Sequence, residues 1–313
     1  MRYRTFGQTG FDLSTVSMGC NRIGDPGVDP DRWPPIVERA IDLGVNFFDT
    51  SISYNQGRSE QIVGDVTSRR DMRIYLGTKV GFDIDFERGR EFQIKEYSAA
   101  RILRDIEGSL KRLRRNTIDL YLLHSPSVEV LRTGDWLEAL TKLRRDGKLR
   151  FWGISTEDHA SGLEAIRQGA QVLQVEYDLL DPSAEDELLP AAGPENVGVM
   201  VRTPLARGLL TGKFPPGQPI PPEQQWRRPR GERLELRLSR IEQLRFLERP
   251  GQTLAQAALR FVLAHPAVHC AVPGARTVEQ LEANVPAADG DLTSEELARV
   301  RELHQRWRAE GRW

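Results

Sequence analysis

The sequence is poor in the residues that build cross-linked or metal-centred proteins. It contains only two cysteines, Cys20 and Cys270, which are too few for a disulfide framework and are not spaced as a metal knuckle. Only five histidines are present, so a site with several histidine ligands is poorly supplied. These low counts argue against a disulfide scaffold and against a structural zinc site, and we expect no bound metal.

The chain also lacks an excess of charge and a long apolar run. Its formal net charge is −1, which gives no electrostatic reason to expect nucleic acid or an anionic membrane surface as partner. No stretch approaches the ~20 apolar residues of a membrane span, and the start, MRYRTFGQTG, has no apolar core of a signal peptide. With 39% hydrophobic and 28% charged residues, the composition is typical of a soluble globular protein, which we expect in the cytoplasm.

A further absence is the glycine pattern GxGxxG, which would mark a Rossmann fold but follows no strand-like segment. Instead, short apolar runs recur between longer segments of helical periodicity. We count eight runs: STVSMG (14–19), VNFFDT (45–50), RIYLGTKV (73–80), IDLYLLHS (118–125), FWGIS (151–155), VLQVEY (172–177), VGVMVRT (197–203) and VHCAVPG (268–274). In most of these runs apolar residues follow one another without alternating with polar ones, which is typical of parallel strands covered on both faces. The repeat predicts an α/β fold, a (β/α)8 TIM barrel, with a doubly wound open sheet as the structural alternative.

Three segments depart from the plain repeat. YRTF and FDLS flank GQTG, which predicts an N-terminal β-hairpin. Residues 213–250 form a long insertion after the seventh strand, a proline-rich loop at first and helical from about Glu232. The segment SEELARVRELHQRW begins with a capping signal and predicts an extra C-terminal helix. We interpret residues 1–313 as a single barrel domain.

Titratable residues stand where the early strands end. The second apolar run ends in Asp49, with Tyr54 in the loop beyond it, the third holds Lys79, and the fourth ends in His124. Taken singly, each could be structural, as a helix cap, a solvated charge, a satisfied core histidine or a packed ring. In a barrel, however, catalytic groups lie at the carboxyl ends of the strands, so we expect these four side chains to meet at one mouth.

The four residue types suit acid catalysis by a phenol. A tyrosine ordinarily keeps its proton at neutral pH, and a neighbouring ammonium such as that of Lys79 stabilises the phenolate and eases the proton's release. Asp49 would hold the lysine charged and in place, because an unpaired buried ammonium is costly. His124 could orient a substrate carbonyl or assist proton transfer. Such a site lacks a hydride and a nucleophile, so it implies a cofactor.

Seven segments, in order, resemble the aldo-keto reductases, from the hairpin to about Asn284. They are GVNFFDTSISY, LGTKV, IDLYLLHS, DGKLRFWGIS, VLQVEYDLL, TPLARGLLTGKF and VPGARTVEQLEAN. The branch that they resemble lies near the potassium-channel β subunits and the general stress-type reductases. The resemblance implies a barrel that binds a nicotinamide cofactor without a Rossmann fold and reduces aldehydes or ketones, usually with NADPH and less often with NADH.

The resemblance also implies roles for single residues. Tyr54 would be the general acid, Lys79 and Asp49 would tune it, and His124 would position the carbonyl. The implied cofactor contacts are Asp49, Ser155, Thr156 and Gln174 at the nicotinamide, Arg202, Thr203, Pro204, Leu205, Gly208 and Lys213 along the strap over the nicotinamide and pyrophosphate, and Gly274, Arg276, Gln280 and Asn284 at the adenosine end. Arg276 suits a 2′-phosphate, as does the positive end of the helix that follows it. Gly274 would allow the backbone to approach the ligand.

Four positions depart from common versions of the family. Asn55 stands where glycine is usual, Thr156 where many members have Asn or Arg, and Ala283 where an acid is frequent near the adenine. Arg202 replaces an aromatic residue that often stacks on nicotinamide. A planar guanidinium can also stack, but we expect its charge beside the positive oxidised ring to favour the reduced cofactor. These departures concern cofactor affinity and leave every catalytic group in place.

Two other classes of function stay open. The chain could be a nicotinamide-binding regulatory protein like the channel β subunits, with little turnover. It could also be a metal-dependent barrel hydrolase with His124 and Asp49 as ligands, although separate strand ends supply few further ligands. The sequence does not identify the substrate, which the loops after Lys213 and the C-terminal tail would select. Trp33, Trp226 and Trp313 are candidate pocket walls, with helix packing as the alternative for Trp33. Arg227, Arg228 and Arg230 are expected in solvent, with a charged substrate or the cofactor phosphate as the alternative.

Overall fold

The computed structural model of the protein describes residues 1–84, 93–214, 218, 220–221 and 228–311. Its strands are β1 (Tyr3–Thr5), β2 (Asp12–Ser14), β3 (Met18–Gly19), β4 (Phe47–Asp49), β5 (Tyr75–Val80), β6 (Phe82–Ile84), β7 (Gln93–Lys95), β8 (Ile118–His124), β9 (Leu149–Ser155), β10 (Val172–Glu176), β11 (Gly198–Arg202) and β12 (Cys270–Ala271). Its α-helices are α1 (Trp33–Asp42), α2 (Arg58–Thr67), α3 (Ala99–Leu113), α4 (Val128–Thr133), α5 (Trp136–Arg145), α6 (His159–Arg167), α7 (Leu188–Ala192), α8 (Gly231–Gln243), α9 (Leu254–Ala264), α10 (Val278–Asn284) and α11 (Ser294–Ala309).

Eight of these strands form one parallel sheet, in the order β3-β4-β5-β8-β9-β10-β11-β12. The first and last strands then meet through parallel bridges from Val16 to Ala271 and from Gly19 to Gly274. The Gly19 N–H donates to the Pro273 carbonyl over 3.0 Å at this seam. The predicted (β/α)8 TIM barrel is confirmed. Seven of the eight apolar runs contain one of its strands, and the eighth, 151–155, lies within β9.

The N-terminal hairpin forms as predicted and closes the amino end of the barrel. β1 and β2 pair antiparallel, with Tyr3 opposite Ser14. Phe6 and Phe11, at the tip of this hairpin, are buried among side chains that fill the barrel interior, including Phe47 and Leu122. Because this plug fills the amino end, any site built inside the barrel has to open at the carboxyl end.

The helices cover the outside of the sheet, and capping hydrogen bonds fix where several of them begin. Ser98 caps α3 by accepting from the Arg101 N–H, and Thr253 begins α9 with a capping box. Trp33, the first residue of α1, is only 2% exposed and packs in the larger hydrophobic core. None of the helices that the structure describes is long and apolar enough to cross a membrane.

Two additions to the barrel matter for the site. The insertion after the seventh barrel strand contains α8 from Gly231, as predicted, and the extra C-terminal helix is α11, capped by Thr293 and Glu296. A second antiparallel hairpin, β6 with β7, follows β5 and was not predicted. Trp226, Arg227 and Trp313 lie outside the described residues. The interpretation of residues 1–313 as one domain stays a prediction.

Candidate active site

The candidate site lies at the carboxyl ends of the barrel strands, where the inward-facing side chains change from apolar to polar. Side chains alternate between the two faces of a strand. In β8, Leu120 and Leu122 fill the barrel interior, and His124 is the next residue in that register. In β4, Phe47 is followed two residues later by Asp49. The same spacing of two residues leads to Lys79 in β5, Ser155 in β9, Gln174 in β10 and Arg202 in β11.

The centre of the site is a buried ion pair in contact with a phenol. Lys79 Nζ donates to both carboxylate oxygens of Asp49, over 2.7 and 2.8 Å, and to the Thr50 carbonyl over 2.8 Å. It also lies 3.2 Å from Tyr54 Oη. The side chains of Lys79 and Asp49 are 0% and 6% exposed, whereas Tyr54 is half-buried. The ammonium is therefore enclosed, and the phenol reaches the opening.

Electrostatics keep the Lys79 ammonium charged despite its burial. Burial by itself lowers the pKa of a lysine, but the adjacent Asp49 carboxylate and the contact with Tyr54 outweigh it, so the pKa of Lys79 is raised above its usual value. A hydrogen-bonded carboxylate is the arrangement that makes such a buried charge tolerable. The predicted meeting of Asp49, Tyr54 and Lys79 is thus present in the structure.

The loop that carries Tyr54 is held by an unusual backbone. Asn55, Gln56 and Gly57 have positive φ angles of 53°, 57° and 80°. Asparagine adopts this left-handed region more readily than most residues, so Asn55 can stand where the family usually has glycine. Its side-chain amide also donates to the Ile23 carbonyl over 2.8 Å, which ties the loop to the chain beyond β3.

His124 lies beside the phenol and is enclosed by rings. Its ring centroid is 5.9 Å from that of Tyr54, edge to face, and 4.9 Å from that of Phe82, the first residue of β6. The Tyr97 hydroxyl donates to the His124 carbonyl over 2.7 Å. Ser51 Oγ is 3.4 Å from His124 Nδ1. The unpredicted β6–β7 hairpin thus supplies one wall of the site.

The next three strands, β9 to β11, contribute a polar chain that begins at Ser155, opposite His124 in the sheet. Ser155 Oγ donates to Gln174 Oε1 over 2.7 Å and accepts from Arg202 Nη1 over 3.2 Å. Ser155 and Gln174 are 0% and 1% exposed. The Thr156 hydroxyl instead donates to the Asp158 carbonyl over 2.6 Å, so its proton is used inside its own loop. The hydroxyl protons of both Ser155 and Thr156 are thus used within the protein, and the carboxamide contacts of Ser155, Thr156 and Gln174 stay predictions.

Arg202 is embedded in a network of charges. Its Nη2 lies 3.3 Å from Glu157 and 3.4 Å from Glu176, and Glu176 also lies 2.6 Å from Arg207 Nη2. Two guanidinium groups therefore face two carboxylates. The charge of Arg202, which we expect to favour the reduced cofactor, is thus shared with two carboxylates, and that expectation stays a prediction.

The segment after Arg202 has an irregular backbone. Thr203, Ala206, Arg207 and Gly208 all have positive φ angles, of 52°, 48°, 56° and 90°. Positive φ is a genuine outlier for a β-branched residue such as Thr203, and such strain collects at ligand clamps. Pro204 and Leu205 lie between these positions, and the Leu205 carbonyl accepts from the Gly208 N–H over 2.8 Å.

Cations gather beyond this segment. Burial together with Arg228, Arg276 and Arg22 lowers the pKa of Lys213, and burial together with Arg22, Arg276 and Arg207 lowers the pKa of Arg228 to about 10. Among the described residues, no carboxylate forms an ion pair with Lys213, Arg228 or Arg276. Arg228 is half-buried and donates to the Arg207 carbonyl over 2.9 Å, so its expected solvent position is replaced by a place in this cluster.

The residues named for the adenosine end lie along the loop and helix after β12. Gly274 is exposed and pairs with Gly19 at the barrel seam. Gln280 Oε1 accepts from the Arg276 N–H over 2.9 Å, which fixes the turn into α10. Asn284 ends that helix and is 7% exposed. Ala283 is exposed, and its carbonyl accepts from Gln256.

Several neighbours of the site were missed from the sequence. Ser51 and Ser53 stand within the quoted segment GVNFFDTSISY, where two small polar residues close to Tyr54 were an available signal. Phe82 and Tyr97 carried no pattern that points to a site. Among the residues that the structure describes, no group of three or more His, Cys, Asp or Glu side chains could hold a metal ion.

Comparison with known proteins adds a family to this geometry. Residues 15–305 match the family model described as the Aldo/keto reductase family. The chain is similar to the uncharacterized oxidoreductase YqkF of Bacillus subtilis, with 31% identity over 97% of this chain and 96% of that protein. It is also similar to a Schizosaccharomyces pombe protein provisionally named a voltage-gated potassium channel subunit beta, with 29% identity over 96% and 92% of the two chains. A solved structure, the holo form of the aldo-keto reductase AKR11C1 from Bacillus halodurans, superimposes with a TM-score of 0.79 and 30% identity over 97% and 96%.

Proposed function

The chain belongs to the aldo/keto reductase family, and from that premise we propose that it is an NADPH-dependent enzyme that reduces an aldehyde or ketone to the alcohol. Members of this family are oxidoreductases of small carbonyl compounds that generally use nicotinamide cofactors. The observation that carries the proposal is the contact of Lys79 Nζ with both Asp49 oxygens and, over 3.2 Å, with Tyr54 Oη.

In the proposed mechanism, Tyr54 donates its proton to the carbonyl oxygen. The phenolate that remains is stabilised by the Lys79 ammonium, and Asp49 keeps that ammonium in place. His124, on the strand next to that of Lys79, holds the carbonyl oxygen near the phenol. The cofactor, when bound, supplies a hydride to the carbonyl carbon. Phe82 and the side chains that fill the barrel interior enclose this site, which reduces the access of water to the proton transfer.

The proposed cofactor contacts fit the residues that are present. Ser155 and Gln174 offer a hydroxyl and an amide for the carboxamide, on the same face as His124. The backbone of residues 203–208, with its positive φ angles, is the proposed strap over the nicotinamide and pyrophosphate. Lys213, Arg228 and Arg276 repel one another and face no described carboxylate partner, which suits an anionic 2′-phosphate and favours NADPH over NADH.

The test is Tyr54→Phe, with Tyr3→Phe as the matched control on the exposed hairpin. We expect Tyr54→Phe to lower turnover of aldehydes by about a hundredfold or more, because the acid is lost while the ring remains. NADPH binding, followed by fluorescence quenching, should stay within about twofold. Full turnover in Tyr54→Phe, or no turnover of any compound in a broad aldehyde and ketone panel by the unaltered protein, would refute the proposal.

A second candidate is a nicotinamide-binding regulatory protein with little turnover. The similarity to the Schizosaccharomyces pombe protein named for a channel subunit is the observation that favours it. The same titration separates the two, since a regulatory protein would bind NADPH tightly, turn it over very slowly and co-purify with a partner. Cytoplasmic location and a single domain stay predictions.

A further inference from the structure

Two buried hydroxyl groups lie behind His124, on the side of its Nδ1 atom. Ser51 Oγ is 3.4 Å from His124 Nδ1 and 2.9 Å from Ser53 Oγ, and it accepts from the Ser53 N–H over 3.2 Å. Ser51 and Ser53 are 0% and 3% exposed. Both belong to the loop that carries Tyr54, so this pair connects the phenol loop to the histidine.

The protons of this chain can be assigned by counting donors and acceptors. If Ser51 donates to Nδ1, its oxygen accepts from the Ser53 hydroxyl and the Ser53 N–H, and both serine hydroxyl protons have an acceptor. If Nδ1 donates to Ser51 instead, Ser51 must donate to Ser53, and the Ser53 proton then has no acceptor among the described hydrogen bonds. A buried hydroxyl proton without an acceptor is costly, so the first assignment is favoured.

We propose that Ser51, supported by Ser53, is a positioning residue that holds His124 in the neutral tautomer with its proton on Nε2. The hydrogen bond at one ring nitrogen determines which nitrogen carries the proton. A proton on Nε2 makes that atom a hydrogen-bond donor, which is what a substrate carbonyl oxygen requires. This inference rests on the proposed function for its use, but the tautomer itself is a property of the protein alone.

The surroundings of the ring support a single orientation. Phe82 and Tyr54 lie 4.9 and 5.9 Å from its centroid, and the Tyr97 hydroxyl holds the backbone carbonyl of the same residue. With the ring enclosed in this way, a change at Ser51 leaves its position largely intact and alters the proton instead. Ser51 therefore acts through His124 and contacts no substrate.

The experiment is a two-dimensional ¹H–¹⁵N spectrum of the imidazole nitrogens in the full-length protein without cofactor, at a pH where His124 is neutral. The His124 signals are identified by their loss in His124→Asn. We expect Nε2 to carry the proton in the unaltered protein and in Ser53→Ala, where Ser51 can still donate. In Ser51→Ala we expect a mixture of tautomers or a reversal, and Ser51→Cys, a weaker donor of similar shape, should be intermediate.

Two results overturn the proposal. One is a proton on Nδ1 in the unaltered protein, which needs no variant at Ser51 and therefore decides the matter even if Ser51→Ala fails to fold. The other is an unchanged Nε2–H tautomer in a folded Ser51→Ala. If the protein proves to be a reductase, Ser51→Ala should also lower kcat by about tenfold with little change in NADPH affinity. A correct tautomer in a protein without turnover would refute the function and leave this inference standing.

Discussion

Lys79 and Lys213 both belong to the candidate site, yet their surroundings are opposite. Lys79 is fully buried, and its carboxylate and phenol neighbours raise its pKa above the usual value. Lys213 is more exposed, and partial burial together with three arginines lowers its pKa. The more buried lysine is therefore the one whose charged form the protein favours.

The difference separates two uses of charge. At Lys79 the opposite charge is part of the chain, so the pair is complete before any ligand arrives, and its proposed role is to tune the neighbouring phenol of Tyr54. Around Lys213 the described residues bring several cations together. Arg22 pairs with Asp25 at 3.3 Å and Arg207 with Glu176 at 2.6 Å, but no described carboxylate forms an ion pair with Lys213, Arg228 or Arg276, an arrangement that becomes favourable when an anion binds. Mutation of the completed ion pair is therefore expected to lower the free energy of unfolding, whereas mutation within the like-charged cluster is expected to weaken the binding of an anion.

The largest expected effect tests the completed pair. Asp49→Asn leaves the Lys79 ammonium buried without its carboxylate, and we expect the free energy of unfolding at neutral pH to fall by about 3–5 kcal/mol. In Asp49→Asn/Lys79→Met no buried charge is left unpaired, so most of that loss should be recovered. Urea unfolding of both variants measures the difference.

The control for this experiment is an exposed pair. Arg245→Met removes the contact of Arg245 with Glu248 at 3.0 Å on the surface, and it should cost no more than about 1 kcal/mol. If the single and the double variants at Asp49 and Lys79 were equally destabilised, the ion pair would not be the reason for the penalty, and the contrast between the two lysines would fail.

The second prediction concerns the like-charged cluster. Arg276→Met should weaken NADPH binding by about tenfold, or about 1.4 kcal/mol, because it removes a cation proposed to face the 2′-phosphate. NADH lacks that phosphate, so its affinity should change by no more than about twofold. Stability should be unchanged or slightly higher, since repulsion among the cations is relieved.

Fluorescence titration with both cofactors measures these affinities, and Lys142→Met, on the exposed face of α5 beside Asp146, is the matched control. A loss of the same size for NADPH and NADH would mean that the cluster does not distinguish the phosphate. The preference for NADPH would then need another source.

The sequence predicts the ion pair of Asp49 and Lys79, but it predicts the cation cluster around Lys213 only in part. Asp49, Lys79 and His124 each end an apolar run, and a charged group in that position has to find a partner inside the barrel. Lys213 and Arg276 were named through a family resemblance. Arg22 and Arg228 join them because closing the barrel brings together loops that are distant in the chain.

Other parts of the site carried no readable pattern. β6 and β7 are three residues each, and all three residues of β7 are exposed. Neither an apolar run nor an alternating pattern therefore predicts the hairpin that brings Phe82 to His124. The partners of Arg202 were hidden for another reason. Glu157 and Glu176 end or follow neighbouring strands, and only the parallel register, with Glu176 opposite Arg202, shows that they neutralise it.

Arg202 is the intermediate case and gives the smallest predicted effect. Its charge is shared with Glu157 and Glu176 at 3.3 and 3.4 Å, so it resembles the Lys79 pair, but it lies at the rim next to the proposed nicotinamide position. Arg202→Met leaves Glu157 and Glu176 without this guanidinium, so negative charge remains beside the proposed nicotinamide position. The ratio of affinities should therefore shift towards NADP⁺ over NADPH by about threefold relative to the unaltered protein, or about 0.6 kcal/mol. Glu176→Gln uncovers positive charge and should shift the same ratio of affinities towards NADPH. Titration of each variant with both redox forms measures the ratio, and shifts in the same direction would show that charge at Arg202 does not select between them.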